Sequence, residues 1–196
     1  MKERYLLGLF PKLLIDFVDS ENGSGLLDDI FRAAGIPKSR GFRENKIYPD
    51  REWQRLFSAA CVRLDIAPDL MEVAFARYFA RYTRENCLSI YSAFLDSKEL
   101  IANLRSVHRQ VIEKYSNLNR AETSLNGFRI DAAPAEGSII AIHYSSPNKL
   151  CRFLEVLARQ VTRFYGDDAR VEHTAHCMKR GDFECEIHVS WEETPE

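Results

Sequence analysis

Three groups of side chains in this chain have types and spacings that could do chemistry. The first surrounds His108, in "SKELIANLRSVHRQVIEKY". Leu100, Ile101, Leu104, Val107, His108, Val111, Ile112 and Tyr115 recur at helical spacing, so one imidazole interrupts an otherwise apolar face. Such a histidine is either a core residue with a hydrogen-bonded ring or an axial ligand, since imidazole binds iron well and an aliphatic wall suits a porphyrin. The second is "IHYSSPNKLC", Ile142 to Cys151. Alternation through Ile140, Ile142, Tyr144 and Ser146 sends the Tyr144 and Ser146 hydroxyls the same way at a strand end. Ser146 and Pro147 then read as the cap and first residue of a helix. Hydroxyls and free N–H groups gathered there suit an anion such as a carboxylate. The third is Cys151, His173, Cys177 and Cys185. Three thiols and an imidazole match the ligand set of a structural zinc site, although a cysteine can equally be a small buried hydrophobe.

Placing these residues requires a helical region and then a sheet. Leu13, Leu14, Phe17 and Val18 form a helical stripe, and "SGLLDDIFRAAG" follows with Ser24 as cap and Gly35 as terminator. "YPDREWQRLFSAACVRLDI" puts Trp53, Leu56, Phe57, Ala60 and Leu64 on one face; the next helix starts at Pro68 with Leu70, Val73 and Ala74 inward. A short apolar piece, "LSIYSAFL", precedes a single helix from Ser97 to Tyr115. Residues 116–127 read as polar loop; "FRIDAAP" and "SIIAIHYSS" read as two strands joined through Pro134 and Gly137. "SPNKLCRFLEVLARQVTRFYG" reads as a helix of about five turns. Two strands, "ARVEHTAHC" and "FECEIHVSW", then flank the turn "MKRGD". Val171, His173, Ala175 and Cys177 share one face of the former, and Phe183, Cys185, Ile187, Val189 and Trp191 one face of the latter. A hairpin therefore brings Cys177, Cys185 and His173 together, with Cys151 arriving from the covering helix. His176 faces away unless a bulge intervenes. The expected fold is α+β, an N-terminal helical lobe followed by an antiparallel four-stranded sheet covered by helices.

Composition narrows the function. At 196 residues and 45% hydrophobic, the chain supports one full core. Net charge is −2 and pI about 6.2, which gives no positive field for nucleic acid or an anionic membrane. The N-terminal "YLLGLFPKLLIDFV" contains Pro11, Lys12 and Asp16 and lacks a cleavage pattern, so it is read as neither signal peptide nor span, and the location as cytoplasmic. Five cysteines outside a secretory context read as reduced thiols or metal ligands, with Cys61 and Cys87 assigned to packing. No nucleophile–base pair, carboxylate dyad or glycine-rich phosphate loop marks an enzyme.

In order along the chain, "YPDREW", "APDLMEVAFARYF", "NLRSVHRQVIEKY", "HYSSPNKLC" and "HCMKRGDFEC" resemble the H-NOX family, the haem nitric oxide/oxygen binding domain related to the haem domain of soluble guanylate cyclase. The likeness spans residues 5 to 191. It implies a single domain over 1–191, with a helical lobe to about residue 85, the haem-ligand helix and sheet lobe over 86–191, and a tail at 192–196. It assigns His108 to the iron of haem b and Tyr144 and Ser146 to the propionates, while the motif's arginine position holds Asn148. Phe10, Leu14 and Phe153 align with the distal positions around the gas, and the cysteine cluster resembles the zinc site of some members, with His173, or alternatively His176, as its imidazole.

The function implied is nitric oxide sensing. An apolar distal side lacks the donor that stabilises bound dioxygen, whereas nitric oxide binds ferrous iron without one. Cleavage of the iron–histidine bond would release the helix carrying His108 and shift the lobes, changing affinity for a separate histidine kinase or cyclic-di-GMP enzyme. Asn148 supports a second reading, a haem-free ligand-binding or zinc/thiol redox-sensing module of the same fold.

Overall fold

The computed structural model describes residues 5–22, 24–115, 129–134 and 139–192. The polar loop expected at 116–127, the turn residue Gly137 and the side chain of Ser24 lie outside that description. The chain divides into two units, Met1–Phe75 with Ile112–Asn126, and Ala76–Val111 with Gly127–Glu196.

In the first unit, β1 (Tyr5–Leu7) leads into α1 (Leu9–Asn22) and α2 (Ser24–Ala34), and β2 (Ile47–Pro49) into α3 (Asp50–Leu64). The β1–β2 pair, antiparallel with Leu6 opposite Tyr48, is too short to show a period in the sequence. Gly8 makes the return possible. Its N–H donates to the Lys46 carbonyl at 2.6 Å, and a Cβ there would stand 2.1 Å from the Arg43 carbonyl oxygen. Leu9, Leu13, Leu14 and Val18 of α1 are buried, with Ile30 and Phe31 of α2 and Trp53 and Leu56 of α3. Gly35 ends α2 at φ +62°, as its position suggests.

Helix α4 (Pro68–Asn86) contributes to both units. Its buried face is Met71, Phe75, Ala76 and Phe79, one position round from expectation, so Leu70 is exposed. The second unit continues with α5 (Leu88–Tyr91), α6 (Ser97–Ala102) and the start of α7 (Leu104–Tyr115), whose residues from Ile112 onward fall in the first unit. The single helix expected over 97–115 is therefore two. Asn103 stops the first: its backbone N–H bonds the carbonyls of Glu99 and Leu100, and its side chain donates to Glu99 O at 2.9 Å. Its own carbonyl then accepts from Ser106 and Val107 to start the second.

Strands β3 (Arg129–Pro134) and β4 (Ile139–Ser145), helix α8 (Cys151–Tyr165), and strands β5 (Ala169–His173) and β6 (Cys185–Trp191) complete the unit. The sheet order is β3-β4-β6-β5, antiparallel throughout. Ile142 opposes Ile187, Tyr144 opposes Cys185 and Val171 opposes Val189, and all six side chains are buried. Helix α8 turns Cys151, Phe153, Leu154, Ala158 and Val161 into the same core. Phe183, expected to extend the apolar face of β6, instead precedes the strand and is 97% exposed.

Candidate functional site

His108 sits one turn into α7. Its neighbours along the face, Leu104, Val107, Val111 and Ile112, are half-buried rather than packed into a core, and only Tyr115 of this helix is fully buried. Burial lowers the His108 pKa from 6.5 to about 4, so at neutral pH the imidazole is uncharged and has a lone pair for a metal. A partly accessible apolar face around a neutral imidazole fits a planar apolar macrocycle bound through iron.

At the strand end, Tyr144 and Ser146 are both buried, and their hydroxyl oxygens face the same turn. Tyr144 Oη accepts from Leu150 N at 3.2 Å and Ser146 Oγ from Asn148 N at 3.3 Å. The helix does not begin at Pro147. Lys149 adopts the left-handed conformation, φ +49°, after a turn closed by Lys149 N to Ser146 O, and α8 starts at Cys151 without a side-chain cap. Asn148 is half-buried and Lys149 exposed, so a positively charged side chain follows one residue beyond the motif's arginine position.

The thiols do converge. The sulfurs of Cys151, Cys177 and Cys185, all buried, lie within 4.8 Å of one another. Cys151 approaches Cys185 at 2.8 Å, and Cys177 approaches it at 3.9 Å. Zn–S bonds of about 2.3 Å in a tetrahedron space sulfurs by about 3.8 Å, so the set fits zinc once the shorter pair opens by about 1 Å. Cys185 is held well below the usual thiol range, chiefly by the Cys151 thiol, with Met178 N–H (3.3 Å) and His173 adding to the effect, while Cys151 is pushed up. Three converging buried sulfurs are the start of a cation site.

A bulge keeps His173 and Cys177 on the same face of the sheet. Thr174 N donates to Glu186 O, while Glu186 N donates to His176 O, so three residues stand opposite Glu186 where a regular ladder has one. Two extra residues preserve the alternation: His173 and Cys177 stay on the inner face while Ala175, expected inward, is exposed. His176 is exposed as well, whereas His173 Nε2 is buried without a hydrogen-bond partner. Of the two imidazoles, His173 is the less exposed, while the three sulfurs alone form the close set. The residue that sequence reasoning passed over is Glu155, 2% exposed, whose Oε2 lies 3.9 Å from His173 Nδ1. Its signal was a carboxylate four residues after Cys151 on the apolar face of α8.

Phe10 and Leu14 belong to the aromatic core of the first unit, where Phe10 packs edge-on against Trp53 and Phe75. Phe153 belongs to the second, with its ring 5.3 Å from that of Phe79.

A family model described as Haem-NO-binding matches residues 7–173. The chain belongs to that family. Its fold is that of a Shewanella oneidensis H-NOX protein crystallised in the Fe(II)NO state (TM-score 0.81, 19% identity, covering 96% of this chain and 100% of that one). It is equally similar to an unliganded Fe(II) H-NOX protein from K. algicida (TM-score 0.80, 14% identity, 97% and 99% covered). No curated protein matches in sequence. The H-NOX fold is that of haem-based gas sensors, and among the described residues no helix is long and apolar enough to cross a membrane.

Proposed function

We propose that this H-NOX chain is a haem-dependent nitric oxide sensor that signals to a separate effector, a histidine kinase or a cyclic-di-GMP enzyme. The observation that carries the reading is His108: a neutral imidazole on the half-buried apolar face of α7, in a chain of the haem-NO-binding family. His108 would hold the iron, and Tyr144 and Ser146, with Asn148 and Lys149 beside them, would meet the propionates. Bound there, haem b supplies ferrous iron with a coordination position open to a diatomic gas. Phe10, Leu14 and Phe153, the residues assigned by resemblance to the distal side, offer no hydrogen-bond donor, which favours nitric oxide over dioxygen.

The chain's own part in signalling lies in the break at Asn103. Helix α6 is pinned: Ser97 N donates to Asp167 Oδ2 at 2.8 Å, Trp191 Nε1 donates to Ser97 Oγ at 3.0 Å, and Asp96 caps Glu99 N at 2.7 Å. Helix α7, which carries His108, is free of those ties and extends from the second unit into the first. Were iron held by His108, loss of that bond would act on α7, while the bonds at Ser97 and Asp96 would hold α6. Expression with haem supplied, followed by an absorbance spectrum, tests the reading. Wild type should show a Soret band that His108→Ala loses; unchanged haem content and spectrum in the variant would refute the ligand assignment.

The convergence of thiols favours a second element, a zinc ion held by Cys151, Cys177, Cys185 and His173, which would remain if haem were not retained and would make the chain a zinc or thiol redox module. Metal analysis decides it. Near-equimolar zinc is expected, and less than about a tenth of an equivalent dismisses it.

A further inference from the structure

Resting on the reading that the thiol cluster holds zinc, we propose that Glu155 is the positioning residue of that site, setting the tautomer and aim of His173. A carboxylate at 2% exposure needs partners, and Glu155 has two guanidinium groups: Arg152 Nη1 donates to Oε2 and Arg159 Nη2 to Oε1, each at 2.6 Å. Arg159 Nη2 also donates to the Val171 carbonyl at 2.9 Å, which fixes this charge group against β5 two residues before His173. The Glu155 side chain cannot drift, and Oε2 faces His173 Nδ1 at 3.9 Å.

A neutral imidazole has one N–H, and the acceptor it faces decides which nitrogen bears it. Here the carboxylate lies on the Nδ1 side at 3.9 Å, within ion-pair reach though longer than a hydrogen bond, and the arrangement proposed puts the proton on Nδ1. Nε2, buried and without a hydrogen-bond partner, is then left with its lone pair available to a metal. Cys151 and Glu155 stand four residues apart on α8, so one helical face supplies both a ligand and the group that orients another. A carboxylate behind a metal-bound histidine is a recurrent arrangement, and its removal typically weakens metal binding 10- to 100-fold. A bland alternative exists: Arg152, Glu155 and Arg159 form a charge cluster that only ties α8 to β5.

The experiment separates the two and also separates them from the zinc reading itself. Zinc affinity by chelator competition is measured on the full chain for wild type, Glu155→Gln, His173→Ala and the double variant, together with the 15N tautomer signature of His173. Glu155→Gln should weaken zinc 10- to 100-fold alone but add less than about twofold to His173→Ala, and wild type should carry its proton on Nδ1. An equal additional loss in the double variant, or affinity within twofold of wild type in Glu155→Gln, overturns the inference. If Glu155→Gln fails to fold, the wild-type spectrum decides alone: an Nε2–H tautomer with Nδ1 on the metal is the contrary result. Wild type that binds no zinc at all is instead the failure of the underlying reading.

Discussion

His108 gains its proposed role from a cost. Burial makes protonation unfavourable, with the pKa near 4 against 6.5 in the unfolded chain, so the folded state refuses a proton that the unfolded state accepts. The stability this confers is complete above pH 6.5 and is lost as pH falls through the window from 6.5 to 4. At roughly 1.4 kcal/mol per unit, the haem-free protein should lose up to about 3 kcal/mol across it. Urea unfolding at several pH values should show that slope in wild type and its absence in His108→Leu; parallel profiles would contradict it. Asn148 is a residue whose chemistry was legible from type alone. A neutral amide bonds a carboxylate at about 0.5–1.5 kcal/mol and a charged guanidinium at about 1.5–3, and Asn148 is only half-buried. Asn148→Arg should therefore slow haem loss to a scavenging apoglobin by about tenfold. A rate within twofold of wild type would show that Lys149 already supplies the charge.

Elements decide whether such residues meet, and here the sequence was legible in part. Alternation placed His173, Cys177 and Cys185 on one face correctly because the bulge at Thr174–His176 inserts two residues; a one-residue bulge would have reversed Cys177. The same alternation misplaced Phe183 and Ala175, because a local backbone detour leaves no trace in a hydrophobic pattern. Helical periodicity ran unbroken from Leu100 to Tyr115, yet Asn103 divides the helix through hydrogen bonds that periodicity does not encode. On α4 the aromatics Phe75 and Phe79 won the core over Leu70, a choice made by the neighbouring packing surfaces. Two long-range bonds meet α6 at the fully buried Ser97, one to Asp167 and one from Trp191 Nε1. Trp191→Phe keeps an aromatic ring for Lys98, which lies 5.8 Å from the Trp191 centroid, but removes the N–H. Leaving the Ser97 hydroxyl without that donor should destabilise the protein by about 1–3 kcal/mol in urea unfolding, with haem content retained. A loss below about 0.3 kcal/mol would remove this bond from the account of what pins α6.

At the scale of the whole molecule, the proposed zinc ligands all fall in the second unit: Cys151 on α8, His173 on β5, Cys177 just beyond it and Cys185 on β6. A metal there closes the loops between one helix and two strands and favours only the folded form of that unit. Its contribution follows mass action, about 4 kcal/mol when free zinc is a thousand times its dissociation constant. The apolar core of the first unit, around Leu9, Leu13, Leu14, Trp53 and Phe75, contains no proposed ligand. Chelation should therefore act unevenly. Hydrogen exchange on the metal-loaded and chelated protein should show faster exchange across Ile139–Ser145, Cys151–Tyr165 and Cys185–Trp191, while amides of α1 and α3 keep their protection to within a few-fold. Equal loss in both units would mean that the two unfold as one cooperative body and that the cluster stabilises the molecule globally. Unchanged exchange everywhere would mean that the three thiols pack as apolar groups and that the staple contributes nothing.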